Sequence, residues 1–448
     1  MAHVISDLSK YALVIIMAIY TLECFAVFRY KDEESRSGIY MRQILCMFLI
    51  HFIGFAAICL ETSDATYIIL YGIQQILLFA TIALFRVIYP EANRLIINNM
   101  CLLLAIGFVE LTRLSYDKSL RQLKIVAFSV VIGLLLPFII YKFRFLKKMT
   151  WIYGAIGVAA LGTVLIFGAV THGAKITYTV GGFTFAPSEF VKIVFVFFVA
   201  GLLASGTDLK RVVVASSAAA LHVILLVIAK DLGSALIFFV ADLTMLFIAS
   251  RNYLYLLFGV FGGALASVVA YRLFSHVRVR VLAYKDPFAY IDTAGFQIAQ
   301  SLFAIGTGGW FGMGIYQGQP TAIPYVEEDS IFSAIAEEWG LLFALCMILV
   351  CLSCFMMFMN AATKMKEHFY RLIAIGIGVI YIFQIFLTIG GGTRFIPLTG
   401  VTLPLISYGG SSVLSTIIMF GIVEGLYVAR DRQEQDAKGD FDEQEEAE

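Results

Sequence analysis

Charged side chains gather in one stretch of this apolar chain, between residues 278 and 340. Carboxylates beside a lipid bilayer are costly unless they face water or a partner, so this stretch indicates a working surface. A carboxylate there can accept a proton from a hydroxyl, and a cation can stabilise a developing anion. The acidic residues are Asp286, Asp292, Asp329, Glu337 and Glu338, and the basic residues near them are Arg278, Arg280 and Lys285.

A second group that could take part in chemistry is the motif Pro187-Ser188-Glu189, followed by Lys192, at the start of an apolar run. Proline suits the first turn of a helix, and serine can satisfy the free N–H groups there. Glu189 and Lys192 are three positions apart, so they share one helix face. They form either a structural ion pair or a site in which Lys192 presents positive charge to an anionic substrate.

A third motif, Asp231-Leu-Gly233-Ser234, stands between two apolar runs. Asp231 can cap the following helix, and the small residues allow close helix approach. A catalytic role for Asp231 is an equal alternative.

Two segments with many glycines complete the set. The segment 306–314 is not a nucleotide loop, because it lacks the lysine and hydroxyl pattern that grips phosphate. The segment 397–412 holds two prolines and ends in Gly-Gly-Ser-Ser. That ending starts a helix whose free N–H groups could bind an anion, or its small residues serve tight packing.

Composition identifies the class of protein that must position these groups. Of 448 residues, 60% are hydrophobic and 14% charged, with a mean hydropathy of +0.88. A soluble domain is nearer a quarter charged, so the chain is predicted to be a membrane protein. The net charge of zero argues against nucleic acid as a partner. The seven cysteines lie in apolar runs and are expected to be free.

Thirteen apolar runs are long enough to span a bilayer, which needs about 20 residues each. Helices satisfy their own backbone in lipid, so the predicted fold is all-α and polytopic. Most lysine and arginine clusters place the N-terminus outside, the C-terminus inside and residues 278–330 outside, although a basic cluster at 113–124 disagrees. The expected spans are 11–29, 43–61, 67–88, 97–114, 123–141, 151–170, 189–206, 211–229, 232–250, 253–272, 331–358, 371–391 and 406–428.

Three regions follow from this division. Residues 1–92 hold three extra spans, expected to pack on the periphery without a catalytic residue. Residues 93–430 form a ten-span body with a large extracellular loop at 273–330. The acidic tail 431–448 is almost without apolar residues and is expected to be disordered.

The order of the motifs is more informative than any one of them. It reads PSE…K, DLGS, DP…GFQ..QS..AIG.GG.FG.G, ED.IF..I.EE.G and P.TG..LPL.SYGGSS. Over residues 95 to 430 this order closely resembles the SEDS family (shape, elongation, division and sporulation), whose members are peptidoglycan glycosyltransferases. The resemblance implies a ten-helix body that polymerises lipid II outside the cytoplasmic membrane. It also implies a class B penicillin-binding transpeptidase as partner.

The resemblance also implies roles for individual residues. The essential loop aspartate of the family, taken as catalytic, falls on Asp286, with Asp292 as the competitor. Glu327 and Glu328 replace a common His-Thr pair, and Thr388 stands where many members have asparagine, so the role in division, elongation or sporulation is left open. With the loop arginines included, the expected substrate-binding residues are Glu189, Lys192, Asp231, Arg278, Arg280, Asp292, Gln297, Asp329, Glu338, Ser407 and Ser411.

The implied reaction needs no ATP, because the diphosphate already activates the sugar. An acceptor hydroxyl attacks the anomeric carbon with Asp286 as general base. Arg278, Arg280, Lys192 or a divalent cation (Mg²⁺ or Mn²⁺) stabilises the leaving diphosphate, and no protein metal site is predicted. The alternatives are a lipid II flippase, with polar residues along its spans, and a non-catalytic scaffold of a division or elongation complex.

Overall fold

The computed structural model is a bundle of long helices with three short helices at one end. Its backbone is described for residues 2–30, 32–171, 174–180 and 183–445. Its side chains are described from Leu8 to Arg430, apart from positions 31, 33, 144, 170–175 and 180–183. The helices are α1 (Ala2–Ala26), α2 (Glu33–Thr62), α3 (Thr66–Ile88), α4 (Arg94–Leu114), α5 (Tyr116–Lys142), α6 (Thr150–Phe167), α7 (Pro187–Ala204), α8 (Leu209–Ile228), α9 (Leu232–Ser250), α10 (Tyr253–Leu273), α11 (Ser275–Lys285), α12 (Phe296–Gly308), α13 (Ile331–Glu338), α14 (Leu341–Lys364), α15 (His368–Gly392) and α16 (Gly410–Glu445).

Within the described chain, thirteen helices are long and apolar enough to cross a membrane. They are α1 to α10 and α14 to α16, which confirms the predicted all-α polytopic class and the number of spans. The seven cysteines are free, as expected. The remaining helices, α11, α12 and α13, belong to the polar stretch between α10 and α14.

The predicted span 331–358 was wrong at its start. Residues 331–338 form the separate helix α13, and the membrane helix α14 begins only at Leu341. Gly340 divides them with a φ of +93°, a left-handed conformation that favours glycine. A side chain there would also run into the backbone of Gly312. This break separates α13 from the membrane helix α14, and α13 packs against α12 of the polar stretch.

A small antiparallel sheet between α6 and α7 was not predicted. Its strands are β1 (Ala169–Thr171), β2 (Ala174–Val180) and β3 (Phe183–Phe185), in the order β1-β2-β3. Ala169 is opposite Thr177, and Tyr178 is opposite Phe185. The sheet therefore ends the sixth span at Phe167 rather than at residue 170.

The core of the bundle is α4, whose membrane-spanning window is entirely buried. Helix α16 packs along α5, and Gly421 and Gly425 permit this approach. A side chain at Gly421 would reach within 2.8 Å of the Gly133 carbonyl oxygen, and one at Gly425 within 3.0 Å of Pro137 Cα. Helices α4, α5 and α16 thus form a closely packed centre for the site described below.

Helices α1 to α3 lie against the outside of this centre. Tyr20 in α1 donates a 2.9 Å hydrogen bond to Oδ1 of Asn99 in α4. Gln74 in α3 donates a 3.2 Å bond to Ser119 in α5 and bonds His51 in α2. Gln74 therefore joins α2, α3 and α5 by hydrogen bonds between helices.

The acidic C-terminal tail follows α16. The backbone of α16 is helical as far as Glu445, where the sequence favours irregular structure. The side chains beyond Arg430 and the whole of 446–448 lie outside the described residues. Disorder of the tail stays a prediction.

Candidate active site

A buried ion pair lies at the start of α7. Proline 187 is the first residue of this helix, as predicted, and Lys192 Nζ lies 2.6 Å from Glu189 Oε2. The ammonium group also donates a 2.8 Å bond to Oε1 of Gln384 in α15, and Ser415 in α16 donates one of 2.8 Å to Glu189. Lys192 is 2% exposed. The pair therefore holds three helices together by charge-assisted bonds.

Asp231 lies close to this pair and caps α9. Its carboxylate accepts a 3.1 Å hydrogen bond from the backbone N–H of Ser234, which confirms the predicted cap. Burial raises the pKa of Asp231, the bonds from Ser234 lower it, and the nearby charge of Glu189 raises it further. The Asp231 carboxylate thus caps α9 and also interacts electrostatically with the Glu189–Lys192 ion pair.

Asp329 lies two positions before α13, near a cationic group and an amide group. Gln297 in α12 donates a 2.7 Å hydrogen bond from Nε2 to Oδ1 of Asp329. Burial raises the pKa of Asp329 to about 6, although the bond from Gln297 and the charge of Arg280 act in the opposite direction. The carboxylate can therefore exchange a proton near neutral pH.

Arg280 in α11 lies near enough to Asp231 and Asp329 for its charge to interact with both carboxylates. Its Nη1 donates a 3.0 Å bond to the carbonyl oxygen of Thr399. Burial lowers the pKa of its guanidinium, and the charges of Asp231 and Asp329 raise it. Arginine stays protonated in such surroundings, so it supplies a permanent positive charge near the two acids.

The segment between α15 and α16, residues 393–409, forms one wall of the site; we call it the linker. Gln384 donates a 3.0 Å bond to the carbonyl oxygen of Thr402, and Thr402 donates one of 2.7 Å to Ser412. Gly400 has a φ of +76°. A Cβ at this position would lie 3.8 Å from Arg280 Nη2 and 3.9 Å from Asp329 Oδ2. The linker backbone therefore approaches both charged groups directly.

A second buried group of charges lies beside α13. Arg113 in α4 and Glu338 are 2.9 Å apart, with side chains 11% and 0% exposed. Burial raises the pKa of Glu338 to about 7, and Arg113 opposes this shift. Trp339 donates a 2.8 Å bond to Glu110, and the backbone N–H of Tyr316 donates one of 3.1 Å to Glu338. This group fixes the polar loop to α4.

Lys118 in α5 makes a further contact with the loop. It forms an ion pair with Glu327 and lies 5.6 Å from the ring centre of Tyr408. Arg113 and Lys118 belonged to the basic cluster that disagreed with the expected orientation. Each has an acidic partner, Glu338 for Arg113 and Glu327 for Lys118, so its charge is compensated locally. These two cations are therefore weaker evidence against the expected membrane orientation.

Comparison with known proteins decides the family. The family model described as a cell cycle protein, which covers FtsW, RodA and SpoVE, matches residues 93–432. The chain belongs to this family. The peptidoglycan glycosyltransferase RodA of Mycobacterium tuberculosis H37Rv is 30% identical over 383 residues, which cover 79% of this chain and 82% of that protein. A probable peptidoglycan glycosyltransferase FtsW of Saccharophagus degradans is 31% identical over 286 residues, covering 60% and 73%.

Solved structures agree with this placement in the FtsW, RodA and SpoVE family. One, from a study of polymerisation and crosslinking by a peptidoglycan synthase complex, gives a TM-score of 0.65 at 26% identity. The match covers 76% of this chain and 98% of that one. The crystal structure of Thermus thermophilus RodA gives a TM-score of 0.58 at 23% identity, with 76% and 97% covered. The match to Thermus thermophilus RodA shows that this chain has the same fold.

Several residues that the sequence assigned to the site of this family member lie together. Glu189, Lys192, Asp231, Arg280 and the Gln297–Asp329 pair surround the linker. Arg278 lies two positions before Arg280 and is exposed. Two positions span about 200° of a helix, so Arg278 points to the opposite side of α11. Its binding role stays a prediction.

Asp286 and Asp292 lie apart from this group. Asp286 follows the last residue of α11, is exposed, and accepts a 3.1 Å bond from the N–H of Ala289. Asp292 is exposed in the turns that follow. A carboxylate at a helix end that caps a local turn is explained without a catalytic role. The role of Asp286 as the base, with Asp292 as the competitor, stays a prediction.

Ser407, Ser411 and Glu338 have structural partners. Ser407 accepts a 2.9 Å bond from the N–H of Leu403, and Ser411 accepts one of 2.9 Å from the N–H of Ala186. Glu338 pairs with Arg113. These contacts shape the linker and the loop, and the substrate-binding roles expected for all three stay predictions.

Sequence reasoning missed Gln384 as a member of the site and Arg113 as the partner of Glu338. Gln384 lies in the middle of an apolar run, where a single amide carries little signal. A buried polar residue in a membrane helix is nevertheless a reason to search for a charged partner. Arg113 was visible as an unexplained outer cation, and an excess of acids in the same outer region could have suggested the pair.

Proposed function

We propose that this membrane protein polymerises lipid II into glycan strands, with Asp329 as the general base. The chain is a peptidoglycan glycosyltransferase of the FtsW, RodA and SpoVE family, in line with the names of its relatives. The observation that carries the residue assignment is the placement of Asp329. It has a pKa raised to about 6, an amide donor at 2.7 Å and a cationic neighbour in Arg280.

The chemistry follows from these groups. The 4-hydroxyl oxygen of the acceptor sugar forms a bond to the anomeric carbon of the donor, and its proton passes to Asp329. The bond between that carbon and undecaprenyl diphosphate breaks, and the diphosphate leaves with the electron pair. A positioned base contributes roughly a hundred- to ten-thousand-fold in rate. Arg280 stabilises the charge that develops on the diphosphate.

The linker supports this assignment. Its backbone reaches both charged groups at Gly400, and the buried hydroxyl oxygen of Thr399 has no hydrogen-bond partner among the described residues. A buried, unsatisfied hydroxyl in a residue that contacts Arg280 is suited to bind a sugar hydroxyl or a phosphate oxygen. The Glu189–Lys192 pair supports the linker through Gln384, which bonds both Lys192 and the carbonyl oxygen of Thr402.

Metal assistance is a separate question. Among the described residues, no three His, Cys, Asp or Glu side chains are arranged to hold a metal ion. A divalent cation carried by the substrate diphosphate stays an alternative to Arg280 as the stabilising charge.

The site is proposed to face the outside of the cytoplasmic membrane. Most basic clusters of the short connections lie at the opposite ends of the spans, which favours the cytoplasm for that side. A class B penicillin-binding transpeptidase is the proposed partner, since the glycan strands must be crosslinked. The role in division, elongation or sporulation is left open.

A flippase is the second candidate function. Transporters bind substrate near the bilayer midplane, whereas the charged group here lies at one end of the spans. The test uses the purified full chain with fluorescent lipid II, and gel analysis of the products after partial digestion. We expect a ladder of glycan strands without added ATP.

Two controls make this test decisive. Lipid II translocation in protein-containing vesicles, without polymer, would support the flippase instead. If the protein yields no glycan product and no translocation, the scaffold is supported. This conclusion requires that the protein elutes as a folded species and binds its transpeptidase partner.

A further inference from the structure

We propose that this protein binds the phosphate of an anionic phospholipid in a basic cavity at the end of the bundle opposite the candidate active site. The cavity has a volume of about 360 Å³. It is lined by Lys142, Lys147, Lys366 and Arg430, together with Glu367 and Tyr370. We call it the basic cavity.

The position of the basic cavity follows from the direction of the helices. Helix α5 begins beside the candidate site, where Lys118 pairs with Glu327, and it ends at Lys142 in the cavity. Helix α16 likewise begins at the linker, and its membrane-spanning part ends at Arg430. The cavity therefore lies at the level of the lipid headgroups on the side to which the sequence assigns the cytoplasm.

The charge of the basic cavity favours an anion. Four lining residues are cationic and Glu367 is acidic, which leaves a formal charge of +3 among the lining residues. Glu367 lies 3.5 Å from Lys147, and both side chains are about half exposed, so this ion pair is weakened by solvent. The cations come from three separate parts of the chain, so the fold, and not one basic run, brings them together.

The kind of anion follows from the other lining residues. Ile140, Met365 and Ala429 add an apolar side to the same cavity. A phosphate attached to glycerol and acyl chains satisfies both sides at once, whereas a free phosphate uses only the cations. Basic pockets between transmembrane helices on the cytoplasmic side are suited to anionic lipid headgroups. The volume lies within the range of about 300–1,000 Å³ that is usual for small-molecule sites.

The proposal is tested with the full chain in vesicles of phosphatidylcholine in which the share of phosphatidylglycerol is raised in steps from zero. The measurement is the midpoint temperature of unfolding as the share of phosphatidylglycerol rises. We expect the midpoint to rise and to saturate. In the double variant Lys142→Gln, Lys366→Gln, half-saturation should need more anionic lipid by about fivefold for each cation removed.

The matched control is Arg29→Gln combined with Lys210→Gln. Both residues are exposed and are assigned to the same side of the membrane, outside the basic cavity. This variant loses the same charge and should respond to phosphatidylglycerol like the unchanged protein. Lys366→Arg, which keeps the charge, should also respond to phosphatidylglycerol like the unchanged protein. Midpoints measured in pure phosphatidylcholine separate folding defects from lost lipid binding.

Four outcomes would overturn the proposal. Equal responses of the cavity variant and the unchanged protein would remove the cavity from lipid binding, and equal losses in both double variants would indicate a general surface field. Stabilisation by inorganic phosphate in pure phosphatidylcholine, equal to that by the lipid, would identify a free anion as the ligand. If the midpoint temperature of unfolding does not respond to lipid but changes with the cavity substitutions, the acidic tail 431–448 would be indicated as the ligand of the basic cavity.

Discussion

Gln297 Nε2 donates a 2.7 Å hydrogen bond to Asp329 Oδ1, which joins α12 to the residue two positions before α13. The bond orients a carboxylate whose pKa burial raises to about 6. Orientation and a pKa near the working pH are the two properties that a general base needs. The same carboxylate lies beside the linker and Arg280, so a substrate placed between them would meet both a base and a cation.

Replacement of Asp329 by alanine should abolish lipid II polymerisation, because the proton of the attacking hydroxyl then has no acceptor. A loss of a hundredfold or more is expected for a general base. Glycan synthesis by purified protein measures it. Asp286→Ala is the control, since Asp286 is exposed and caps a local turn. The reverse result, with Asp286 essential and Asp329 dispensable, would contradict the role of Asp329 and support the assignment of Asp286 made from sequence.

Activity should fall as the pH decreases through about 6, the pKa to which burial raises Asp329. The sign follows from the mechanism, because only the ionised carboxylate accepts a proton and protonation below this pKa removes it. The measurement is the initial rate of glycan synthesis between mildly acidic and neutral pH. Gln297→Leu removes a bond that lowers the pKa, so the midpoint should move to higher pH. A profile that is flat to well below pH 5 would contradict the assignment.

Gly400→Ala should impair synthesis while the protein still inserts. Its φ of +76° disfavours any side chain by roughly 1–2 kcal/mol, and the new methyl group would stand beside Arg280 and Asp329. Gly306→Ala is the control, because a Cβ there meets no atom within 4 Å. Alanine in that helix should be tolerated or slightly stabilising, by up to about 1 kcal/mol. Equal activity of both variants would show that the linker does not contact substrate.

Lys192→Met should destabilise the protein by about 3–5 kcal/mol, because Glu189 is then left without its buried cation. Thermal unfolding in detergent measures this change. Lys210→Met is the control, since Lys210 is exposed and its loss should have little effect. If Lys192→Met keeps normal stability but loses affinity for lipid II, the pair serves substrate binding, the alternative that the sequence left open.

A double-mutant cycle on Arg113 and Glu338 should reveal strong coupling of the free energies of unfolding. Both partners are nearly buried, so either single substitution leaves a charge unpaired. The comparison pair is Lys147 and Glu367, which are 3.5 Å apart and about half exposed. Their coupling should be between about 0 and 1 kcal/mol. Similar coupling in both pairs would mean that the loop does not depend on its contact with α4.

The sequence could predict whatever depends on local pattern. Runs of about 20 apolar residues cross a bilayer because each helix satisfies its own backbone, so thirteen spans and the all-α class were predictable. Glu189 and Lys192 pair because three positions bring side chains to one helix face. Asp231 caps α9 because a carboxylate before a helix meets free N–H groups. Each of these contacts lies within a few residues of chain.

Tertiary structure decided which distant residues meet. Lys192 finds Gln384 across 192 positions, and Arg280 finds Thr399 across 119. Neither separation leaves a period or motif in the sequence. The different surroundings of Asp286 and Asp329 are of the same kind, since both are loop aspartates among polar neighbours. Only the fold gives one of them an exposed helix end and the other partial burial beside an amide and a guanidinium, and that difference in solvation and partners sets its pKa.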